Sequence, residues 1–221
     1  MTTRFNKTFF FKTFLFLVSG LAFASDYDVQ DILSAMSEKW SEVDDFTCRM
    51  ESYVKLGKKE QKQIMNYYFM KPNWIRLEII GGDNTGAKIV YNPIEKMVRA
   101  KAGGILGVVA FKFSSDNPRV QSIRGHRIDN NNIGYIISRW REYLKRCKIS
   151  VSFGDSTITL EATGVDTSKY NGTYSEKLVI DSKTDLPIYF EQFDISGELI
   201  HRVFISDIKI NVGLRRNFFN L

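Results

Sequence analysis

The sequence is poor in the residues that bind metals. It contains two cysteines, Cys48 and Cys147, and two histidines, His126 and His201. None of the four lies beside another at the spacing of a zinc site, so we expect no metal site. In an oxidising compartment the two cysteines could form a disulfide, but a pair of buried free thiols is an equally good interpretation. The sequence leaves both alternatives open.

Motifs of common catalytic sites are also lacking. There is no G-x-S-x-G turn, no glycine-rich phosphate loop and no H-E-x-x-H pair. His126, within Arg124-Gly-His-Arg127, is a candidate general base, although a histidine hydrogen-bonded inside a loop is the more common case. We therefore predict that the protein is not an enzyme and has no catalytic residues or cofactor. A hydrolase that uses His126 remains the alternative.

The first 24 residues have the three parts of a secretory signal peptide. Residues 1–12 carry basic but no acidic side chains, residues 13–21 are mostly apolar, and Ala22 and Ala24 are the small residues of a cleavage site. The apolar run is too short to cross a bilayer, which takes about 20 residues. We predict cleavage after Ala24. Because Ser25 follows instead of a lipid-attachment cysteine, we expect a soluble periplasmic protein without a lipid anchor.

Net charge is low once this segment is removed. It takes three of the 31 basic residues and none of the 25 acidic ones, which leaves +3 on residues 25–221. Nucleic-acid binding usually requires a concentrated basic face, so we expect no nucleic-acid partner. The remaining 197 residues contain no low-complexity linker. They are predicted to form a single domain, large enough to enclose a cavity.

Two segments repeat apolar residues at helical spacing, which predicts helices over residues 28–43 and 133–146. The rest of the chain alternates apolar and polar residues with a period of two. Its segments are separated by tight turns such as residues 81–84. We predict about ten short strands in an antiparallel meander, an α+β fold that is mainly β.

The middle of the chain differs from this pattern. Residues 102–113 are glycine-rich and apolar, and residues 114–131 form a polar loop that contains Arg124, His126 and Arg127. Outside the first 24 residues, 23 of the 30 aromatic residues remain. A long sheet that curls without closing tightly leaves an apolar cavity that helices can cover.

Several short segments resemble the bacterial lipoprotein carrier LolA and the wider lipoprotein-sorting superfamily. They are the strand over residues 45–54, the corner Lys71-Pro-Asn73 with the strand after it, the Tyr-Asn-Pro ending at residues 91–93, and the closing hairpins over residues 181–212. The resemblance implies an unclosed antiparallel β-barrel, or half-barrel, with a helical lid over an apolar cavity that takes acyl chains. In the carriers an arginine before the corner proline helps to hold the lid, and Lys71 stands there in this chain. Lys71 keeps the positive charge but lacks the planar set of donors of an arginine side chain, and the middle segment of the chain also differs from the carriers. Both differences indicate a divergent branch of this superfamily.

We accordingly predict a soluble periplasmic carrier that binds the acyl chains of a lipoprotein or lipid and works as a monomer with a membrane-bound donor or acceptor. A sensor or interaction module that detects envelope lipid or lipoprotein and contacts a protein partner is the second hypothesis. Residues 105–111 and the helix from Ile133 would form or flank the lid. The candidate ligand-binding residues are Phe46, Met50, Tyr67, Phe69, Leu77, Ile89, Tyr91, Ile136, Trp140 and Phe190.

Overall fold

The computed structural model describes residues 28–104, 107 and 109–221. The predicted signal peptide and its cleavage site lie outside these residues, as do Ile105, Leu106 and Val108 of the predicted lid. None of the helices in the described ranges is both long enough and apolar enough to span a bilayer.

The described residues form eleven strands: β1 Asp45–Leu56, β2 Lys59–Met70, β3 Trp74–Gly82, β4 Lys88–Asn92, β5 Met97–Lys101, β6 Ala110–Ser114, β7 Lys148–Phe153, β8 Thr157–Thr163, β9 Ser175–Asp181, β10 Leu186–Phe193 and β11 Leu199–Ile210. They pair in one antiparallel sheet, in the order β6-β5-β4-β3-β2-β1-β11-β10-β9-β8-β7. The edge strands β6 and β7 do not pair with each other, so the predicted unclosed barrel is confirmed.

Two helices pack on the inner face of the sheet, close to the predicted positions. Helix α1 spans Val29–Ser41, and the side chain of Asp28 caps it by accepting from the backbone N–H of Gln30 at 3.2 Å. Helix α2 spans Ile133–Tyr143, and Asn132 caps it in the same way through Tyr135 N–H at 2.8 Å. Both helices end two or three residues before the predicted ends.

Gly134 allows the two helices to approach closely. A Cβ atom at this position would lie 2.8 Å from the indole nitrogen of Trp40 in α1. The buried apolar side chains of α1 and α2 join those of the inner sheet face in one continuous core.

The structure corrects the sequence prediction in two places. Residues 110 and 111, the end of the predicted lid segment over residues 105–111, instead belong to the edge strand β6, which pairs with β5 from Met97↔Ser114 to Lys101↔Ala110. The alternation of apolar residues also predicts two separate strands, over residues 198–206 and 208–212, where β11 is continuous over Leu199–Ile210. A β-bulge near Asp207, whose φ is 53°, accommodates an extra residue against β1 without ending the strand.

The C-terminal segment covers part of the outer face of the sheet. Phe219, in a 3₁₀ turn over Arg216–Phe219, packs with Trp74 and Val90 in a second apolar cluster. The Arg76 guanidinium donates to the carbonyl oxygens of Phe218 at 2.6 Å and Asn220 at 3.1 Å. Nothing in the alternation of the strands predicted this contact.

Candidate functional site

A cavity of about 790 Å³ lies between the inner face of the sheet, helix α2 and the loop over residues 115–132. Ligand-binding cavities in proteins usually measure about 300–1,000 Å³. Its apolar wall comes mainly from strands that alternate inward apolar residues, among them Met50, Val54, Met65, Leu77, Ile79 and Val203. The volume and the wall suit an elongated apolar ligand.

The ten candidate ligand-binding residues fall into two groups of five. One group lines the cavity: Met50, Leu77, Ile89, Ile136 and Phe190. The other group is buried in the packed core and does not border the cavity: Phe46, Tyr67, Phe69, Tyr91 and Trp140.

An aromatic cluster explains why part of the second group lies away from the cavity. Trp40 of α1 packs on Phe69 with ring centroids 4.9 Å apart and on Phe46 at 5.8 Å. Phe46 stacks on Tyr67 at 5.2 Å. Helix α1 therefore fills one end of the inner face, and the cavity occupies the other end. The strand alternation predicts which side chains point inward but not how far along the strand the helix reaches.

A buried ion pair connects α2 to the sheet beside the cavity. Arg139 Nη2 donates to Glu176 Oε1 at 2.6 Å, and the two side chains are 9% and 0% exposed. Glu176 also accepts from Trp140 Nε1 at 2.9 Å, Tyr143 O–H at 3.0 Å and Gln192 Nε2 at 2.8 Å. Burial alone would lower the pKa of Arg139, but the facing Glu176 carboxylate outweighs it and holds that pKa above its ordinary value.

Helical periodicity does not predict this ion pair, because it places Arg139 away from the apolar face of α2. A signal for it exists in strand β9. Glu176, Leu178 and Ile180 alternate as inward residues and all three are buried. An acid on an otherwise apolar strand face requires a buried partner.

Both histidines border the cavity and stack on each other. The ring centroids of His126 and His201 are 4.2 Å apart, at an interplanar angle of 23°. His201 Nδ1 contacts Gln192 Oε1 at 3.0 Å. Because Gln192 uses its N–H to bind Glu176, its oxygen accepts, which assigns the proton of His201 to Nδ1.

His126 is held from the other side by Ser122. The Oγ of Ser122 lies 3.0 Å from His126 Nδ1 and accepts the backbone N–H of His126 at 3.0 Å and of Arg124 at 3.3 Å. The hydroxyl hydrogen of Ser122 therefore points to His126 Nδ1. The ring proton of neutral His126 is accordingly on Nε2. Burial, with smaller contributions from the charges of Arg139 and Arg124, lowers the pKa of His126 to about 4. Burial likewise brings the pKa of His201 well below its ordinary value.

Arg124 fastens the loop over residues 115–132 to the rest of the domain. Its Nη1 donates to Lys55 O at the end of β1 at 2.8 Å, and its Nε donates to Asn171 O at 3.1 Å. The backbone N–H of Ile123 donates to Gln61 Oε1 at 3.1 Å. The polar loop, for which the sequence predicted no role, therefore forms one wall of the cavity together with α2.

The corner that carries the LolA resemblance anchors both helices. Lys71 Nζ donates to Ser41 O, the last residue of α1, at 2.7 Å. Asn73 donates to Asp129 O at 3.0 Å and accepts from Asn132, the cap of α2, at 2.9 Å. Lys71 thus contacts a helix C-terminus, where a positive charge is favourable, and it does not border the cavity.

Cys48 and Cys147 are free thiols in this structure, so the disulfide alternative is not formed. Burial raises the pKa of both thiols, which favours their protonated forms. Within the described ranges, no three or more histidine, cysteine, aspartate or glutamate side chains lie together in a way that could hold a metal ion.

A scan against models of known protein families finds no match, and a search of curated proteins finds none either. Solved structures do match. An uncharacterised conserved protein from Thermus thermophilus superposes with a TM-score of 0.54 at 12% identity, over 86% of this chain and 91% of that one. MucB superposes with a TM-score of 0.50 at 13% identity, over 89% of this chain and 64% of that one.

A LolA superfamily protein from Nitrosomonas europaea matches 87% of this chain and 97% of its own, at 13% identity and a TM-score of 0.41. The superpositions on the Thermus thermophilus protein and on MucB show a shared fold. A LolA superfamily protein is among the solved structures that match, as the resemblance predicted. At such identities the shared fold carries no information about the ligand.

Proposed function

We propose that this protein is a periplasmic carrier that encloses an acyl chain of a lipid or lipoprotein in the cavity. The observation that supports this most directly is the apolar wall built from β1, β2, β3 and β11 around about 790 Å³. Burying an acyl chain yields about 0.8 kcal/mol per CH₂ group, so such a wall alone supplies useful affinity. The signal-peptide pattern of residues 1–24 supports a periplasmic location for residues 25–221 as one domain.

The test is to purify residues 25–221 from the periplasm without detergent and to record native mass spectra. We expect a bound lipid mass that is lost under denaturing conditions. In a second measurement, the delipidated protein is titrated with a fluorescent acyl probe. A protein that is empty in the first measurement and does not bind the probe in the second is not an acyl carrier.

A substitution that fills the cavity tests whether the acyl probe binds inside it. Ala100 of β5 borders the cavity, whereas its neighbour Arg99 does not and forms a surface ion pair with Glu95 at 3.4 Å. Ala100→Trp should weaken probe binding at least tenfold, and Arg99→Trp on the same strand should leave it unchanged. Equal effects of the two substitutions would show that the probe binds elsewhere.

A sensor or interaction module is the second candidate. MucB shares this fold and has been solved in complex with MucA(peri). The distinguishing experiment adds donor and acceptor vesicles to the loaded protein. A carrier transfers the acyl probe between them, whereas a sensor retains it and forms a stable crosslinked complex with a protein partner.

We expect no hydrolase activity. Ser122 and His126 lie in contact as a nucleophile and base would, but Ser122 Oγ accepts two backbone N–H groups and so closes a turn. In the described part of the chain no carboxylate hydrogen-bonds to the His126 ring to orient it. Activity toward acyl esters that disappears in His126→Ala would contradict this assignment.

A further inference from the structure

The charged side chains that border the cavity all have the same sign. Lys101, Arg119, Arg127, Arg139 and Lys169 contribute to its wall, and the lining residues among those described include no aspartate or glutamate. A neutral hydrocarbon ligand would need none of these charges. A cavity whose charged lining residues are all basic instead favours a ligand that has an anionic group.

Arg139 is the innermost of these basic residues, and one of its donors is unused. Its side chain is nine-tenths buried, and its Nε–H finds no acceptor in the part of the chain that the structure describes. Buried donors without partners are rare in folded proteins, and each calls for a partner such as a ligand. The rings of Tyr135 and Phe190, which also border the cavity, lie 5.5 Å and 5.7 Å from the guanidinium.

The counter-charge of Arg139 lies behind the cavity wall. Glu176 is fully buried, accepts four hydrogen bonds and does not border the cavity. A ligand in the cavity therefore meets the basic member of the ion pair, while the acid is saturated by its four donors.

His126 offers a second donor at the same place. With Nδ1 facing Ser122, its Nε2 carries the proton and has no hydrogen-bond partner in the described ranges. His201 stacks on the same ring and also borders the cavity. Phe190 links the two groups, because its ring lies 5.7 Å from the Arg139 guanidinium and 5.0 Å from the ring of His201. Arg139 Nε–H and His126 Nε2–H are thus two donors without acceptors among the described residues, in one corner of the cavity.

We propose that Arg139 and His126, supported by His201, bind the anionic head group of a single-chain amphiphile whose acyl tail occupies the apolar part of the cavity. The ligand is an acyl chain that ends in a carboxylate or phosphate, with its head group inside the protein. This inference rests on the proposed acyl-binding function and narrows it to one class of ligand.

The experiment measures displacement of a fluorescent acyl probe at pH 7.5 by laurate, dodecyl phosphate and methyl laurate. The three ligands share the length of the chain and differ in the head group. Charge-assisted hydrogen bonds usually contribute enough to change affinity by roughly ten- to a hundredfold. We expect laurate, dodecyl phosphate or both to bind at least tenfold more tightly than the methyl ester, and the tighter of the two identifies the head group.

Variants then test whether the preference for the anionic ligands arises from Arg139 and His126. Arg139→Met combined with Glu176→Gln removes both charges of the ion pair while keeping the volume, and should abolish the preference for the anion without weakening methyl laurate. His126→Phe, which leaves the ion pair intact, should reduce the preference several-fold and provides the test if the double variant does not fold. Arg202→Gln, which removes an exposed charge beside His201, is the control and should keep the full preference.

The possible outcomes separate the two proposals. Equal affinity for the three ligands overturns the head-group site and leaves the acyl carrier standing. A preference for the anions that survives in both His126→Phe and a folded double variant also overturns it. Failure of all three ligands to displace or replace the probe overturns the acyl-binding function itself.

Discussion

His126 and His201 stack at the edge of the cavity with their ring centroids 4.2 Å apart, and neither ring has a carboxylate as a hydrogen-bond partner in the described residues. They come from a loop and from a distant strand, so the contact ties the loop to the sheet. Two imidazolium ions at this distance would repel each other. The stack therefore requires at least one neutral ring.

We predict that stability falls as the pH falls from 7 to 5. The pKa of His126 is about 4 in the folded protein and that of His201 is also well below the ordinary value of 6.5, so the unfolded chain takes up protons in this range and the folded protein does not. Each histidine lowers the free energy of unfolding by at most about 1.4 kcal/mol per pH unit. Urea denaturation at successive pH values measures the slope.

The control for this prediction is His126→Gln combined with His201→Gln. No other histidine is present in the sequence, so the double variant should have a nearly flat profile between pH 7 and pH 5. A slope that persists in it would mean that other groups titrate there.

The ion pair inside the domain should be far more sensitive to substitution than one on its surface. Glu176→Gln leaves Arg139 charged, buried and without its counter-ion, which should cost about 3 kcal/mol or more. Glu95→Gln makes the same chemical change in the exposed pair of Glu95 with Lys112 at 2.8 Å, and should cost far less because solvent screens that pair. Urea denaturation of both variants gives the comparison, and equal costs would contradict the buried geometry.

Arg124 should control how fast a ligand leaves. Arg124→Lys keeps the charge but loses the planar set of donors that reaches both Lys55 O and Asn171 O, so the loop should detach more often. We expect probe release to become about tenfold faster, in line with the loss of one or two hydrogen bonds of about 1 kcal/mol each. Stopped-flow displacement measures the rate.

Arg119→Lys is the matched control, because this residue lies in the same loop and its side chain makes no hydrogen bond within the described ranges. Gly172→Ala should reproduce the effect of Arg124→Lys, since a Cβ there would collide with the Arg124 guanidinium. Unchanged release in both Arg124→Lys and Gly172→Ala would mean that the loop does not limit exit.

Two adjacent acids should differ sharply in their effect on stability. The Asp45 carboxylate is buried and accepts the backbone N–H groups of Val212 at 2.8 Å, Gly213 at 3.1 Å and Leu214 at 3.0 Å. Asp45→Asn should therefore cost about 1.5–3 kcal/mol, the range for hydrogen bonds to a charged group.

The neighbouring Asp44 is exposed, and its side chain makes no hydrogen bond among the described residues. Asp44→Asn should change the free energy of unfolding by less than about 0.5 kcal/mol. Thermal denaturation of the two variants side by side gives the test. A similar loss in both would show that charge alone, and not the three backbone contacts, stabilises this corner.

The sequence predicted the parts of this fold that depend on local periodicity. Both helices follow from the spacing of apolar residues, and each begins beside side chains that can bind the first backbone N–H groups, of which Asp28 and Asn132 do so in the structure. The inward faces of the long strands follow from alternation. The sequence did not predict that the inner face is divided into a packed end and a hollow end, because this division depends on where Trp40 lies against Phe46 and Phe69.

The polar corner of the cavity was missed for a different reason. Arg139 and Glu176 belong to elements that are far apart in the sequence, and each alone is an ordinary charged residue. Helical periodicity treats an arginine beside Trp140 as exposed, whereas the strand partner makes its burial favourable. A pairing of this kind is a tertiary contact. At each of the two positions the sequence shows one charged residue, but it does not show that the other residue lies beside it.

The order in which the chain is synthesised bears on when the cavity can exist. The strands from β1 to β6 pair with neighbours in sequence, as do those from β7 to β11, and the pairing of β1 with β11 joins the two halves. Met50 and Val203, one from each of these strands, face the same cavity. Such a distant pairing forms only after a large loss of chain entropy. A ribosome-bound or partly exported chain that lacks β11 therefore lacks part of the cavity wall, and a ligand would be taken up only after the last strand has joined the sheet.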